Sequence, residues 1–218
     1  MSRPPGVPLI PRGPWLYRLG YALSKALVSV AFGLRVVDVE HVPLDGPCVI
    51  ASNHDSGWDP PVVGVATPRF LQFMAKRELF SNRLMAWALR GVGTFPVDRG
   101  KNDIGAVKEA LRRLQAGGAV GVFFEGTRKA ESKAAMGGAA YLAQRSGGAL
   151  VPAAIWREGR RFHVRFGEPL RPTGRSRDET AALTAALTER VRSLLSQQPG
   201  AAQPAPADDD ADDDAKQG

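Results

Sequence analysis

Apolar and polar positions along the chain follow two periods, and the switches between them predict its elements. Trp15, Leu16, Leu19, Leu23, Ala26, Leu27 and Val30 recur at helical spacing, so residues 15–34 predict an amphipathic helix. Arg18 and Lys25 interrupt it, and the uncharged run after Lys25 falls short of the roughly 20 apolar residues that a membrane span needs. Such a stripe has two uses: it packs on a core, or it lies in a bilayer interface with its aromatic residue near the start. From Leu34 onward, short apolar runs take turns with helical patterns. LRVVDVE, PCVIAS, FLQFMAK, GTFPVD and GALVPAAI predict strands, whereas PPVVGVAT, NRLMAWALR and AAMGGAAYLAQRS predict helices. GAVGVFFEG has no polar alternation and predicts a strand buried on both faces. NDIGAVKEALRRLQAG predicts a helix with Ile104, Val107, Leu111 and Leu114 on one stripe and Gly117 near its C-terminal cap. RFHVRF alternates strictly, with Phe162, Val164 and Phe166 facing one way and Arg161, His163 and Arg165 the other. Ser176 and Glu179 form a capping-box pattern before a helix striped by Leu183, Leu187, Val191 and Leu194. The alternation predicts an α/β fold: a single domain with a central, largely parallel or mixed sheet flanked by helices, preceded by the amphipathic helix.

The two ends differ from the rest. Residues 1–14 are rich in Pro and Gly and predict a disordered start without the apolar core of a secretory signal. Residues 199–218 carry six Asp and one Lys with little apolar content, and predict a disordered acidic tail. Residues 35–198 remain for the folded domain, a length that suits one core. The tail also masks the charge of that body. The whole chain is +7, but residues 1–198 hold 28 basic against 16 acidic side chains. A basic body suits anionic partners. Its basic residues are scattered, with no aromatic-interleaved or helix-turn-helix pattern, which argues against nucleic acid and for a membrane surface or a phosphate ester. The single cysteine, Cys48, excludes an internal disulfide and a cysteine-rich metal site; it reads as a buried structural thiol.

Chemistry concentrates where apolar strands end. PCVIAS runs directly into Asn53-His54-Asp55-Ser56-Gly57-Trp58-Asp59, the position at which α/β sheets gather their functional groups. In a regular helix, residues five apart lie about 140° apart, so His54 and Asp59 meet only if the intervening DSGW turns, as Ser-Gly permits. A carboxylate on one imidazole nitrogen fixes the tautomer and frees the other nitrogen as a general base. Two other assignments stand beside this one. Asp59 before Pro60 suits a helix N-cap, and Asp55 serves equally as the partner of His54. FFEGTRK, leaving the buried strand, brings a carboxylate, backbone amides and a guanidinium together, and Arg suits bidentate phosphate recognition. TFPVDRG puts Arg99 at another strand end. No Gly-x-Ser-x-Gly elbow, Walker loop, dinucleotide fingerprint or zinc-type His pair occurs. A His base without a protein nucleophile favours direct transfer, in which the base activates a substrate hydroxyl.

These blocks resemble those of a known family. NHDSGWD resembles the Asn-His-x-x-x-x-Asp block of the glycerophospholipid acyltransferases, the 1-acylglycerol-3-phosphate acyltransferase family. TFPVDRG resembles its second block, FFEGTRK its third and VPAAI its fourth, in that order, over roughly residues 36–169. The resemblance implies that His54 is a general base oriented by Asp59. It implies that Arg99, Glu125, Gly126, Thr127 and Arg128 hold a phosphate-bearing acceptor. It also implies acyl transfer from acyl-CoA or acyl carrier protein, as co-substrate, to lysophosphatidic acid, without a metal or cofactor. A peripheral protein on the cytoplasmic face of the membrane would result. Three alternatives remain: another lysolipid or glycolipid acceptor, a thioester hydrolase, and a non-catalytic membrane-binding protein of the same fold. The chain departs from the third block's usual Phe-Pro-Glu-Gly-Thr-Arg-Ser at Phe124 and Lys129, and its following basic stretch is thinned to Lys133.

Overall fold

The computed structural model describes residues 13–98, 103–125 and 129–198, so the expectations for the two chain ends fall almost wholly outside the described residues. Seven strands form one sheet in the order β1-β7-β6-β2-β5-β3-β4. They are β1 (Leu34–Val37), β2 (Cys48–His54), β3 (Leu71–Lys76), β4 (Phe95–Val97), β5 (Ala119–Glu125), β6 (Ala149–Glu158) and β7 (Arg161–Phe166). All neighbours run parallel except β6 and β7, an antiparallel hairpin. The C-terminal ends of β2 to β6 therefore share one edge of the sheet with the starts of β7 and β1.

Among the described residues, six α-helices cover the two faces: α1 (Trp15–Ala31), α2 (Asp59–Ala66), α3 (Arg83–Gly91), α4 (Ile104–Gln115), α5 (Lys129–Ser146) and α6 (Arg177–Ser196). The central strand β2 is apolar on both sides because both sides are covered. Val49 and Ala51 join a core with Leu114 of α4, Ala139 and Ala143 of α5 and Leu187 of α6. Cys48 and Ile50 join the opposite core with Val28 of α1 and Val62 and Val63 of α2. Burial pushes the Cys48 thiol up to about 11, so it stays protonated and inert at neutral pH.

Local chemistry explains the helix boundaries. Asn82 caps α3 by accepting from the amides of Leu84 and Met85, and Asp103 caps α4 by accepting from Ala106. Gly117 follows α4 with φ +78°, which L-residues other than Gly adopt at a cost. Ser176 caps α6 through Glu179 N–H, but the carboxylate of Glu179 turns to Thr173 instead of closing the box.

Three expectations are corrected. Helix α1 ends at Ala31, and Leu34 already belongs to β1. The use of its stripe, left open above, is not core packing: Tyr17, Tyr21 and Val28 are buried, and Trp15, Leu19, Leu23, Leu27 and Val30 face outward. The tyrosines go inward because their hydroxyls donate to the carbonyls of Arg69 and Val65. In α4, Ile104 is exposed, and Ala106, Ala110 and Leu114 form the buried line. His163, on the polar side of RFHVRF, is buried because it stacks on Trp156 at 5.1 Å.

Candidate active site

The site grows from the end of β2. Pairing of β2 with β6 stops at Ser52, and the side chain of Asn53 takes over. Its amide donates to Ile155 O (2.8 Å) and its carbonyl accepts from Ile155 N–H (2.8 Å), the two bonds a strand neighbour would make. The end of β2 is thereby fixed to β6, and His54 leaves it in a defined place.

Residues 55–58 then turn back. Asp59 is the first residue of α2, with Pro60 and Pro61 behind it, and is almost fully buried. Its Oδ2 accepts from the amides of Asp55 and Ser56, both at 2.8 Å, and lies 2.9 Å from His54 Nδ1. An oxygen already holding two backbone donors meets the ring as an acceptor, so Nδ1 carries the proton and Nε2 keeps the lone pair. The two alternatives for the acids are thus decided. Asp59 does not cap its own helix, because its side chain points back into the turn. Asp55 is not the imidazole's partner; it accepts from the Asn53 amide at 3.3 Å.

The imidazole lies against Phe123 (centroids 4.9 Å apart), which stacks on Phe73 at 5.3 Å. Phe123 belongs to the face of β5 that packs toward α2, and Phe124, the departure from the third block, points into the opposite core. That substitution therefore sits behind the sheet, away from the imidazole. Strand register sets Glu125 beside His54. Gly126, Thr127, Arg128 and Arg99 lie outside the described residues. What flanks Arg99 is well defined: Arg77 Nε donates to Asp98 (2.7 Å), Asp98 N–H donates to Asp103 (2.9 Å), and these bonds join the two ends of the segment that holds it. The amide of Asp98 is the main cause that holds the Asp103 carboxyl below the usual range.

The family model for acyltransferases matches residues 33–156, from the strand before this site to the strand beyond it. The chain belongs to the acyltransferase family. Among curated relatives, the acyltransferase is 33% identical over 194 residues to the 1-acyl-sn-glycerol-3-phosphate acyltransferase of Bacillus subtilis, covering 82% of this chain and 96% of the relative. It is 32% identical over 171 residues to the enzyme of the same name from Streptococcus pneumoniae, covering 70% and 63%. Its fold matches the crystal structure of the 1-acyl-sn-glycerophosphate (LPA) acyltransferase of Thermotoga maritima, with a TM-score of 0.64 at 22% identity over 84% of this chain and 81% of that one.

Asn53 was missed as a functional residue by sequence reasoning although it opens the first block. The only available signal was an amide at the last position of an apolar strand, where a side chain can continue the ladder.

Proposed function

We propose that this acyltransferase moves a fatty acyl group from a thioester, acyl-CoA or acyl carrier protein, to the free hydroxyl of lysophosphatidic acid, giving phosphatidic acid. The observation that carries the reading is the His54–Asp59 pair, 2.9 Å apart at the end of β2, with the tautomer that leaves Nε2 basic. In this reading Nε2 takes the proton of the acceptor hydroxyl as its oxygen attacks the thioester carbonyl. Asp59 stabilises the imidazolium that forms. The tetrahedral intermediate collapses with cleavage of the C–S bond, and the imidazolium returns the proton to the departing thiolate. Arg99, Glu125, Gly126, Thr127 and Arg128 hold the acceptor, with the arginines on its phosphate. The names of the curated relatives and the register of Glu125 beside His54 support this assignment.

Thiol release from palmitoyl-CoA by the purified chain tests it. Release is expected only when lysophosphatidic acid is present, with phosphatidic acid as product. Equal release without acceptor makes the protein a hydrolase, and release driven by another lysolipid alone moves the acceptor.

The reading extends to a membrane surface, on its cytoplasmic face. No helix of the described residues is long and apolar enough to cross a bilayer. Yet α1 shows Trp15, Leu19, Leu23, Leu27 and Val30 to solvent, and α3 beside it shows Leu84, Met85 and Trp87. Leu16 of α1 packs against Gly91, which joins the two helices. Neither helix contains an acidic residue, and together they carry Arg18, Lys25, Arg83 and Arg90. An apolar face on helices that carry only cations suits an anionic lipid surface, each buried side chain contributing about 1.5–3 kcal/mol. Leu23→Glu is expected to weaken co-sedimentation with phosphatidylglycerol vesicles about tenfold. Unchanged sedimentation would remove α1 from the docking face.

A further inference from the structure

The β6–β7 hairpin carries Arg157, Arg160 and Arg161 to the sheet edge at which β2 delivers His54. Along β6, Ala153 and Ile155 belong to the core beneath α1 and α2, and the two-residue period sets Arg157 on that same face, the face of His54. There its guanidinium lies 5.2 Å from the Phe32 ring and 5.7 Å from the Phe162 ring. Phe32 in turn meets Trp58 edge-on at 5.2 Å, and Trp58 belongs to the turn that holds Asp59. One aromatic ring thus separates Arg157 from that turn.

The guanidinium is held but not neutralised. Its Nε donates to Gly159 O at 2.8 Å, and among the described residues its terminal nitrogens have no protein partner. Arg160 donates to Ala31 O at the end of α1, tying the hairpin to that helix. The carboxylates at the end of β6 and just after β2 have other partners. Glu158 lies 3.4 Å from His163, whose side chain belongs to the other face of β7, and Asp55 accepts from Asn53. Neither pairs with Arg157 among the described residues.

Sheet order gives this cation its meaning. The strands run β7-β6-β2-β5-β3-β4, so the blocks assigned to the acceptor phosphate follow β4 and β5 on one side of His54, and the hairpin stands on the other. Two substrates that meet at one imidazole need separate handles, and both handles here are anionic. We infer that the β6–β7 hairpin is the anion clamp for the acyl donor, with Arg157 binding the phosphate ester of its pantetheine-bearing handle and Arg160 and Arg161 adding to the local positive potential. The inference rests on the proposal that the donor is such a thioester. A guanidinium stacked on two rings is already ordered, and its planar fork suits a phosphate bidentately.

The full-length chain and its Arg157→Ala and Arg157→Gln variants test the clamp with three donors: palmitoyl-CoA, palmitoyl carrier protein and palmitoyl-pantetheine, which lacks phosphate. In both variants, KM for the phosphorylated donor is expected to rise about tenfold, the size of one charge-assisted contact. KM for lysophosphatidic acid and kcat stay within about twofold of the parent, and palmitoyl-pantetheine is used equally by all three proteins. A rise with both phosphorylated donors assigns the shared pantetheine phosphate, and a rise with one alone assigns that carrier's own anions. An equal rise with palmitoyl-pantetheine, or a rise in acceptor KM instead, overturns the clamp. Calorimetric titration of CoA onto His54→Ala protein, with and without Arg157→Ala, reads the clamp without turnover. Binding that depends on Arg157 in a protein whose parent shows no transfer would sink the acyl-transfer reading alone; binding indifferent to Arg157 would sink the clamp alone.

Discussion

His54→Ala is expected to lower acceptor-dependent thiol release by about a thousandfold while leaving the protein folded, since a positioned general base contributes about 10²–10⁴. The fold survives because His54 is the last residue of its strand. The six residues before it are buried, and β2 is held by β5 and β6 on its two sides and by the Asn53 clamp at its end. What the variant removes is a partly exposed ring lying on Phe123, which costs some packing but creates no enclosed cavity. The measurement is thiol release at saturating donor and acceptor, beside a thermal melt. Release above about a tenth of the parent rate, from a variant that melts with the parent, would remove His54 from the chemistry.

Much of the architecture was legible because apolar runs and helical patterns alternate so cleanly between Leu34 and Ser196. β5 read as buried on both faces, and it pairs with β2 at the centre of the sheet. The misreadings have one cause: a period identifies a stripe without saying what lies opposite it. Helix α1 has two usable faces, and its apolar stripe left core packing and a bilayer interface equally open. The tyrosine face won because Arg69 O and Val65 O accept from Tyr17 and Tyr21, a contact fixed 52 and 44 residues further along the chain. The surplus apolar face is then left outside, on the surface proposed above to meet lipid. Ile104 failed likewise: it begins α4, and the core starts only at Ala106.

The site was legible to the extent that its chemistry is local. Five residues and one turn make the His54–Asp59 pair, and a short-range pattern carries it. The competing roles of Asp55 and Asp59 were not separable from sequence, since both stand within reach of the imidazole along the chain. Only the turn decides, by aiming two amides at Asp59 Oδ2 and leaving Asp55 to Asn53. Asn53 bonds to a residue 102 positions away, and Arg157 owes its surroundings to Phe32 on another element. Such contacts arise from sheet register, which no local pattern encodes.

Asp59→Asn and Asp59→Ala are expected to separate the two tasks that this buried carboxylate performs. One oxygen, Oδ2, accepts from the imidazole and from the amides of Asp55 and Ser56. An asparagine carbonyl set in the same place keeps all three bonds, so the turn and the tautomer persist. It loses the negative charge that, in the proposed mechanism, stabilises the imidazolium as the hydroxyl proton arrives. The Asp59→Asn protein should therefore melt close to the parent yet turn over about 10²–10⁴ times more slowly. The Asp59→Ala protein leaves the two amides of the turn, partly shielded from water, without the buried carboxylate they donate to. Each unsatisfied group costs about 1–3 kcal/mol, enough to lower the melting temperature by several degrees as well as the rate. Thermal melts and saturating turnover on the parent and both variants read the two quantities. Turnover by the Asp59→Asn protein above about a tenth of the parent would show that the charge of Asp59 does not act on the reaction. An Asp59→Ala protein that melts with the parent would show that the turn does not depend on that carboxylate.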